Sequence, residues 1–355
     1  MTTAFEANTG NGTALAERTT VLEVKNLTIG LKRKSGVVTL VDDVSFSVGQ
    51  GERYGLVGES GSGKSMTLRA IAGLLPSGVE VLSGSIDYAG QNLLEMPASE
   101  RRALMGPGIA MIFQEPLTAL NPTMHVGEQI AEGPRQHLGL SAKEANDLAI
   151  QMMRSTGIPD PVRRAKAFPH ELSGGLRQRI MIALALSCSP KVLLCDEPTT
   201  ALDVTVQNQV LTLLSDLCDD FGASLVFVTH DLAVVAQTCR RVGVMYSGRI
   251  VEKGAVTQVF PAPHHPYTLG LIDSAPDFDR PDRELIPIPG LPPSASSHAE
   301  GCAFAPRCSF VQDDCLVGRL ELADIGDDRS VACIHPRNAD GIDLAAARTT
   351  GRNEQ

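Results

Sequence analysis

Residues 58–65 read G-E-S-G-S-G-K-S, and no other stretch limits the possible folds of this chain as tightly. An apolar run, Tyr54-Gly55-Leu56-Val57, comes before it, and a helical pattern from Met66 to Leu75 follows. Strand, glycine-rich loop and helix form the setting in which G-x-x-x-x-G-K-[ST] binds phosphate. Gly58, Gly61 and Gly63 let the backbone fold back and turn several N–H groups inward. Glu59, Ser60 and Ser62 complete the loop, and Met66 opens the helix behind it. The loop donors stand at the positive end of that helix and cradle phosphate oxygens. Lys64 reaches the β- and γ-phosphates as a point charge, and the Ser65 hydroxyl is placed for Mg²⁺.

A second motif fits the first. Val192-Leu193-Leu194-Cys195-Asp196-Glu197 is four apolar residues ending in two acids. A buried strand of this kind delivers Asp196 to Mg²⁺ opposite Ser65, and leaves Glu197 to polarise a water for in-line attack on the γ-phosphate. Leu172-Ser173-Gly174-Gly175 opens the helix before that strand and makes a second anion site.

Around these motifs the chain divides by texture. Residues 1–20 lack any period and read as a disordered tail, as do residues 338–355. Residues 21–259 alternate strands and helices, and from about 115 to 186 the pattern is purely helical, a subdomain inserted into the nucleotide-binding fold. Residues 260–337 carry nine prolines up to Pro293 and read as a separate small appendage of turns and short helices.

The net charge of −10 argues against nucleic acid as a partner. No apolar run approaches the roughly 20 residues that span a bilayer, and no signal-like start is visible. The expected location is therefore the cytoplasm. Of eight cysteines, Cys188, Cys195, Cys218 and Cys239 sit in apolar patterns and read as core residues. Cys302, Cys308, Cys315 and Cys333 cluster in polar sequence with spacing C-x5-C-x6-C-x17-C. Four thiolates suit Zn²⁺ or a [4Fe–4S] cluster, and unmetallated structural cysteines stay open. Arg307, beside Cys308, is expected to lower the thiolate pKa values. The appendage lies outside the nucleotide-binding fold in this reading, so its loss should spare nucleotide binding.

Together these motifs resemble the ATP-binding subunit of an ABC transporter over about residues 21–258. The resemblance implies an α/β P-loop NTPase of ABC type: a mixed sheet with an antiparallel part, an inserted helical subdomain and here a small C-terminal appendage. It implies that Ser173, Gly174, Gly175 and Gln178 form the signature that contacts ATP held by the opposite subunit. Gln114 looks like the loop glutamine at Mg²⁺ or water, and Asp203, in Ala201-Leu202-Asp203, like the loop that crosses the dimer interface. His230, in Thr229-His230-Asp231, resembles the switch histidine at the γ-phosphate. Where the family stacks adenine on an aromatic residue, this chain has Leu31.

His264-His265-Pro266-Tyr267-Thr268 and Gly301 to Cys308 resemble the extension of dipeptide/oligopeptide importer ATPases, a feature some nickel importers share. The resemblance implies an iron–sulfur site in some members. It also implies ATP and Mg²⁺ as ligands and a second ABC ATPase subunit, most simply a different one, as partner. Two transmembrane permease subunits, docked at about residues 115–123, and indirectly a solute-binding protein complete the assembly. The subunit would then lie peripherally on the cytoplasmic side of the membrane. A soluble non-transport ABC ATPase and a non-hydrolysing regulatory subunit are the competing readings.

Overall fold

The computed structural model describes residues 19–34, 36–199, 203–276, 284–293 and 300–337. The two expected disordered tails, apart from residues 19 and 20, and residues 201 and 202 of the interface loop lie outside the described residues.

Two sheets carry the chain. The first is antiparallel, with order β2-β1-β4-β5, where β1 is Thr20–Arg33, β2 Gly36–Gly49, β4 Val79–Tyr88 and β5 Gln91–Asn92. Alternation drives it: Leu22, Val24, Leu27 and Ile29 of β1 face inward, as do Val41, Val44, Phe46 and Val48 of β2. The alternation slips at Asn26 and Asp43, both left-handed, whose side chains hydrogen-bond at 2.7 Å. The ladder is irregular on either side of Asn26, so each strand keeps its apolar side inward.

The second sheet has eight strands in the order β11-β12-β10-β9-β3-β8-β7-β6. Here β3 is Arg53–Val57, β6 Ile109–Ile112, β7 Val192–Asp196 and β8 Ser224–Thr229. On the other side β9 is Arg241–Tyr246, β10 Arg249–Ala255, β11 Ala323–Gly326 and β12 Arg329–Val331. From β6 to β9 the pairing is parallel. Such strands are covered on both faces, which is why residues 192–195 and 225–228 are unbroken apolar runs. Parallel pairing also brings the C-terminal ends of β3, β8 and β7 side by side, where open α/β sheets bind their ligands.

The first two helices are α1 (Lys64–Ala72), behind the phosphate loop, and α2 (Ala98–Leu104). Between β6 and β7 the chain is helical: α3 (Pro116–Ala119), α4 (Val126–His137), α5 (Ala142–Ser155), α6 (Pro161–Arg164) and α7 (Gly174–Leu186). A capping box between Ser141 and Glu144 starts α5. Ile130, Ala145, Ala149, Met153 and Ile180 make the inner faces of this insertion part of the main core. The remaining helices are α8 (Val204–Phe221), α9 (Leu232–Thr238), α10 (Val256–Val259) and α11 (Pro266–Ser274). None of the helices among the described residues is long and apolar enough to cross a membrane. Cys188, Cys195, Cys218 and Cys239 are buried, as expected.

The C-terminal stretch differs from the expectation of a separate appendage. Its β12 pairs with β10 (Glu252↔Val331) and β11 with β12, so it extends the central sheet by two strands. Tyr267 and Phe304 belong to the same buried cluster as the insertion and the central strands. A proline-rich stretch with few apolar residues cannot close its own core, and borrowing one is the cheaper solution. A buried carboxylate fixes the docking. Glu252 of β10 is fully buried and lies 2.6 Å from Arg329. It also accepts the amide N–H groups of His264 (2.9 Å) and His265 (3.0 Å). Glu252→Ala strands Arg329 in the interior, and a broken buried pair costs about 3–5 kcal/mol. The variant is expected to melt lower and to lose the C-terminal stretch first in limited proteolysis; an unchanged melting curve would contradict this.

Candidate functional site

The phosphate loop rests on the turn between β9 and β10. The Gly248 N–H donates to the Ser62 carbonyl at 3.0 Å. A Cβ on Gly58, whose φ is 149°, would meet the Met245 carbonyl oxygen at 2.1 Å, so only glycine fits there. Helix α1 starts at Gly63, also left-handed, with no side-chain cap, which leaves its first N–H groups for a ligand. Lys64 is buried, and its ammonium donates to the carbonyls of Gly58 (2.7 Å) and Glu59 (2.8 Å) and to Ser62 Oγ (3.3 Å). Burial pulls its pKa down to about 8, against the upward pull of Glu197, Asp196 and Glu59.

The strand ends bring the expected partners to this loop. Ser65 Oγ donates to Asp196 Oδ1 at 2.7 Å. Asp196 is 2% exposed; burial raises its pKa, and the Ser65 hydrogen bond, Arg69 and Lys64 work against that rise. Glu197 turns off the end of β7 with φ 46°, its N–H bonded to the Val228 carbonyl at 2.9 Å. Its Oε2 accepts from Gln114 Nε2 at 3.2 Å and lies 3.4 Å from His230 Nδ1. Four strands, β3, β6, β7 and β8, thus converge on one carboxylate pair. Ser65 and Asp196, with Gln114 beside them, form an all-oxygen donor set suited to Mg²⁺.

The signature residues are displayed elsewhere. Ser173 caps α7, its Oγ accepting from the Leu176 N–H at 3.4 Å. Gly174 is exposed, with open space where a Cβ would stand, and Gly175 would touch only Val206. Among the described residues no hydrogen bond or ion pair joins 173–175 to 58–65. Gln178, one turn further along α7 from Gly174, is buried. Asp203 is exposed and caps α8 through the Val206 N–H at 2.9 Å. Leu31 is half-buried near the end of β1, between Val38 of β2 and Val79 of β4. Met66, in the first turn of α1, is half-buried against the core.

The four C-terminal cysteines come together. Cys302, Cys308, Cys315 and Cys333 line one small cavity with Phe304, Phe310 and His335. Burial pushes the Cys333 thiol up to about 12, and the other three thiols add to the rise. The Phe310 N–H donates to Cys308 Sγ at 3.4 Å, and backbone N–H groups of Phe304 and Ala305 near Cys302 and of His335 near Cys333 favour those thiolates. Arg307 does not act on these thiols as expected. The cations that favour the thiolates of Cys302 and Cys308 are Arg249 and Arg337, and burial outweighs both. The Arg307 guanidinium instead grips Glu59 of the phosphate loop, at 2.6 and 2.9 Å. The hydroxyl of Tyr267 accepts the Glu59 N–H at 2.8 Å. These contacts, 248 and 208 residues apart in the chain, were not found by sequence reasoning, and no local pattern marks them. They also overturn the expectation that the C-terminal stretch stands clear of the ATPase core.

Comparison with known proteins agrees with this geometry. The chain matches the ABC transporter family over residues 41–200 and the oligopeptide/dipeptide transporter C-terminal region over residues 251–315. It is 46% identical to the oligopeptide transport ATP-binding protein OppD of Haemophilus influenzae, covering 84% of this chain and 92% of that one. To the dipeptide transport ATP-binding protein DppD of Escherichia coli it is 42% identical, over 89% and 97% of the two chains. Among solved structures it is similar to a bacterial ABC transporter cassette in its dimeric, post-hydrolysis state with ADP and Pi. That similarity has a TM-score of 0.60 and 26% identity over 66% of this chain and 98% of that one. The chain belongs to the ABC transporter ATP-binding proteins, in the branch that carries the oligopeptide/dipeptide C-terminal region, and it is an ATPase.

The depressed pKa of Lys64 has a measurable consequence. Below about pH 8 the amine is charged with or without nucleotide. Phosphate favours the ammonium, so above that pH binding must take up a proton, and affinity falls by up to about tenfold per pH unit. Calorimetry in buffers of different ionisation enthalpy should show proton uptake at pH 9 and none from Lys64 at pH 7. Constant affinity between pH 8 and 9.5 would contradict the assignment.

Proposed function

We propose that this chain is the ATP-hydrolysing motor subunit of a membrane ABC importer for di- or oligopeptides. The observation that carries the mechanism is the carboxylate pair. Asp196 is buried against Ser65, while Glu197 is turned outward between Gln114 and His230. In this reading Glu197 orients and deprotonates the attacking water, His230 and Gln114 hold that carboxylate in place, and Lys64 pairs the phosphates. When bound at Ser65, Asp196 and Gln114, Mg²⁺ supplies positive charge against the phosphate oxygens. Leu31, Met66 and the loop residues from Gly58 to Ser65 complete this chain's share of the nucleotide site.

The other share comes from a second subunit. Ser173 and Gly174 are exposed and Gly175 is half-buried, all held apart from this chain's own loop, as suits a surface that meets a partner's nucleotide, with the buried Gln178 further along the same helix. Asp203 stands on that dimer face. We assign the partner as a related, non-identical ATPase. A groove lined by Leu74, Met105, Phe113, Ala119, Asn121 and Met124 accepts a helix of the permease, which holds the subunit peripherally at the cytoplasmic face. A solute-binding protein delivers the peptide from the other side. The relatives are named for oligopeptides and dipeptides, which favours peptide over nickel. Residues 21–259 form the motor in this reading, with 115–186 as its helical subdomain, and 260–337 its docked extension.

The test is reconstitution with the permease pair. Glu197→Gln should keep ATP binding but lower hydrolysis at this site by about 100-fold or more, the usual worth of a general base. Gly174→Asp, placed where open space surrounds the residue, should fold normally yet fail to close on ATP. Undiminished turnover in Glu197→Gln with the partner's site disabled would refute the role.

We also assign the four clustered thiols a [4Fe–4S] cluster. Backbone N–H groups aimed at sulfur, as here, stabilise thiolates that carry such a cluster. Four sulfurs around one zinc stand about 3.8 Å apart. Among the described residues, Asp314, Cys315 and His335 bring their donor atoms within 4.8 Å of one another, so a smaller mixed site beside Cys315 is the alternative the test must separate. Anaerobic purification should yield a brown protein with iron and sulfide, lost in Cys302→Ser and Cys308→Ser. Stoichiometric zinc, or a colourless metal-free protein, would overturn the cluster.

A further inference from the structure

Glu59, the second residue of the phosphate loop, is held at three points. Its carbonyl accepts from Lys64, its N–H donates to the Tyr267 hydroxyl, and its carboxylate takes both arms of the Arg307 guanidinium. Two of these three holds come from the C-terminal stretch. Arg307 is itself fixed. It is 6% exposed, donates to the Pro289 carbonyl at 2.8 Å and to the Tyr246 hydroxyl at 3.3 Å, and lies over the Tyr246 and Phe304 rings. Tyr246 and Tyr267 pack ring against ring at 4.5 Å, with Phe304 closing the group at 5.3 and 5.4 Å. A planar fork on a carboxylate, with its other donors satisfied, allows little rotation or slip.

Anchoring of the stretch is separately served by β12 on β10 and by Glu252 with Arg329. The Arg307–Glu59 pair ends instead on the loop that binds phosphate. Glu59 shares its carbonyl with the ammonium that must meet the nucleotide, so moving Glu59 moves Lys64 and the neighbouring N–H donors. Displacements of about 1 Å at such a site can cost about 100-fold in rate.

We propose that Arg307 and Tyr267 are positioning residues for ATP that act through Glu59, which makes the C-terminal stretch a working part of the nucleotide site. The proposal rests on the ATPase reading and adds two residues to it that touch no nucleotide. The experiment measures equilibrium affinity for a fluorescent ATP analogue, KM and kcat for ATP, and the melting temperature without nucleotide. It uses the full chain, in the assembly for turnover, carrying Arg307→Ala, Arg307→Lys, Glu59→Gln, Tyr267→Phe or Arg307→Ala with Glu59→Gln. Arg307→Ala should weaken nucleotide binding about tenfold and appear mainly in KM. Arg307→Lys, which can keep one of the two bonds, should recover part of the loss. The double variant should be no worse than the weaker-binding single variant. Should Arg307→Ala fail to fold, Arg307→Lys, Glu59→Gln and Tyr267→Phe carry the same test. A lowered melting temperature with undiminished nucleotide affinity would reduce the pair to a structural fastening and overturn the proposal, as would losses that simply add in the double variant. Failure of the unmutated chain to bind the analogue would overturn the ATPase reading as well, and is thereby distinguishable.

Discussion

A loop that turns its N–H groups toward phosphate turns its carbonyl oxygens the other way, and each buried oxygen needs a donor. Most of this structure can be read as the supply of those donors. Lys64 serves Gly58 and Glu59, and the Gly248 N–H serves Ser62. Gly248 in turn accepts from the Asp42 N–H of β2, which ties the antiparallel sheet to the same turn. The end of β9 and the turn after it are pressed so closely under the loop that position 58 tolerates no Cβ against the Met245 carbonyl. A loop supported in this way presents its donors without reorganising when phosphate arrives, which is where preorganised electrostatics gain most.

The support has to be anchored further out, and charge does this work. Two ion pairs join the ATPase core to the C-terminal stretch, the buried Glu252 with Arg329 and the partly exposed Glu59 with Arg307, each with the acid on the core side. Buried pairs are poor sources of net stability because both ions lose their water. The Glu252 pair is good at excluding alternatives, since any other docking leaves that acid unpaired in the interior. The apolar contribution comes from few residues, chiefly Tyr267 and Phe304 against Tyr246. A stretch with little apolar surface thus gains a single defined position on the sheet. Four thiols then gather around Phe304 and Phe310, close beside the turn that carries Arg307.

The gathering of the candidate nucleotide-site residues was legible because each of its parts has a local cause. Glycines at 58, 61 and 63, an apolar strand ending in Asp196-Glu197 and a strand ending in Thr229-His230 each announce themselves within a few residues. Parallel pairing of β3, β8 and β7 then assembles them without further information. The C-terminal contacts were not legible for the opposite reason. Arg307 stands beside Cys308 in sequence, which suggested a cation serving a thiolate. The short Ala305–Arg307 turn points it toward Glu59 instead, and nothing within a dozen residues encodes that direction. Strand β12 is three residues long, too short for alternation to show. Helix α2 buries none of its residues and so has no periodic face to read. Gln178 was expected to belong to an outward-facing signature, yet it is buried in α7.

Adjacent acids normally go separate ways at a strand end, since extended backbone sends successive side chains to opposite faces. Here both are needed at one place with different surroundings. The left-handed conformation at Glu197 resolves the conflict. It breaks the alternation after Asp196, which remains buried on Ser65, and turns the next carboxylate toward Gln114 and His230, which are both exposed. A non-glycine residue held in this region stores about 1–3 kcal/mol of strain and persists only where neighbours over-determine it. The Glu197 N–H bonded to Val228 and the two side chains on its carboxylate are those neighbours. The strain thereby gives two consecutive carboxylates different surroundings, one buried on Ser65 and one between Gln114 and His230.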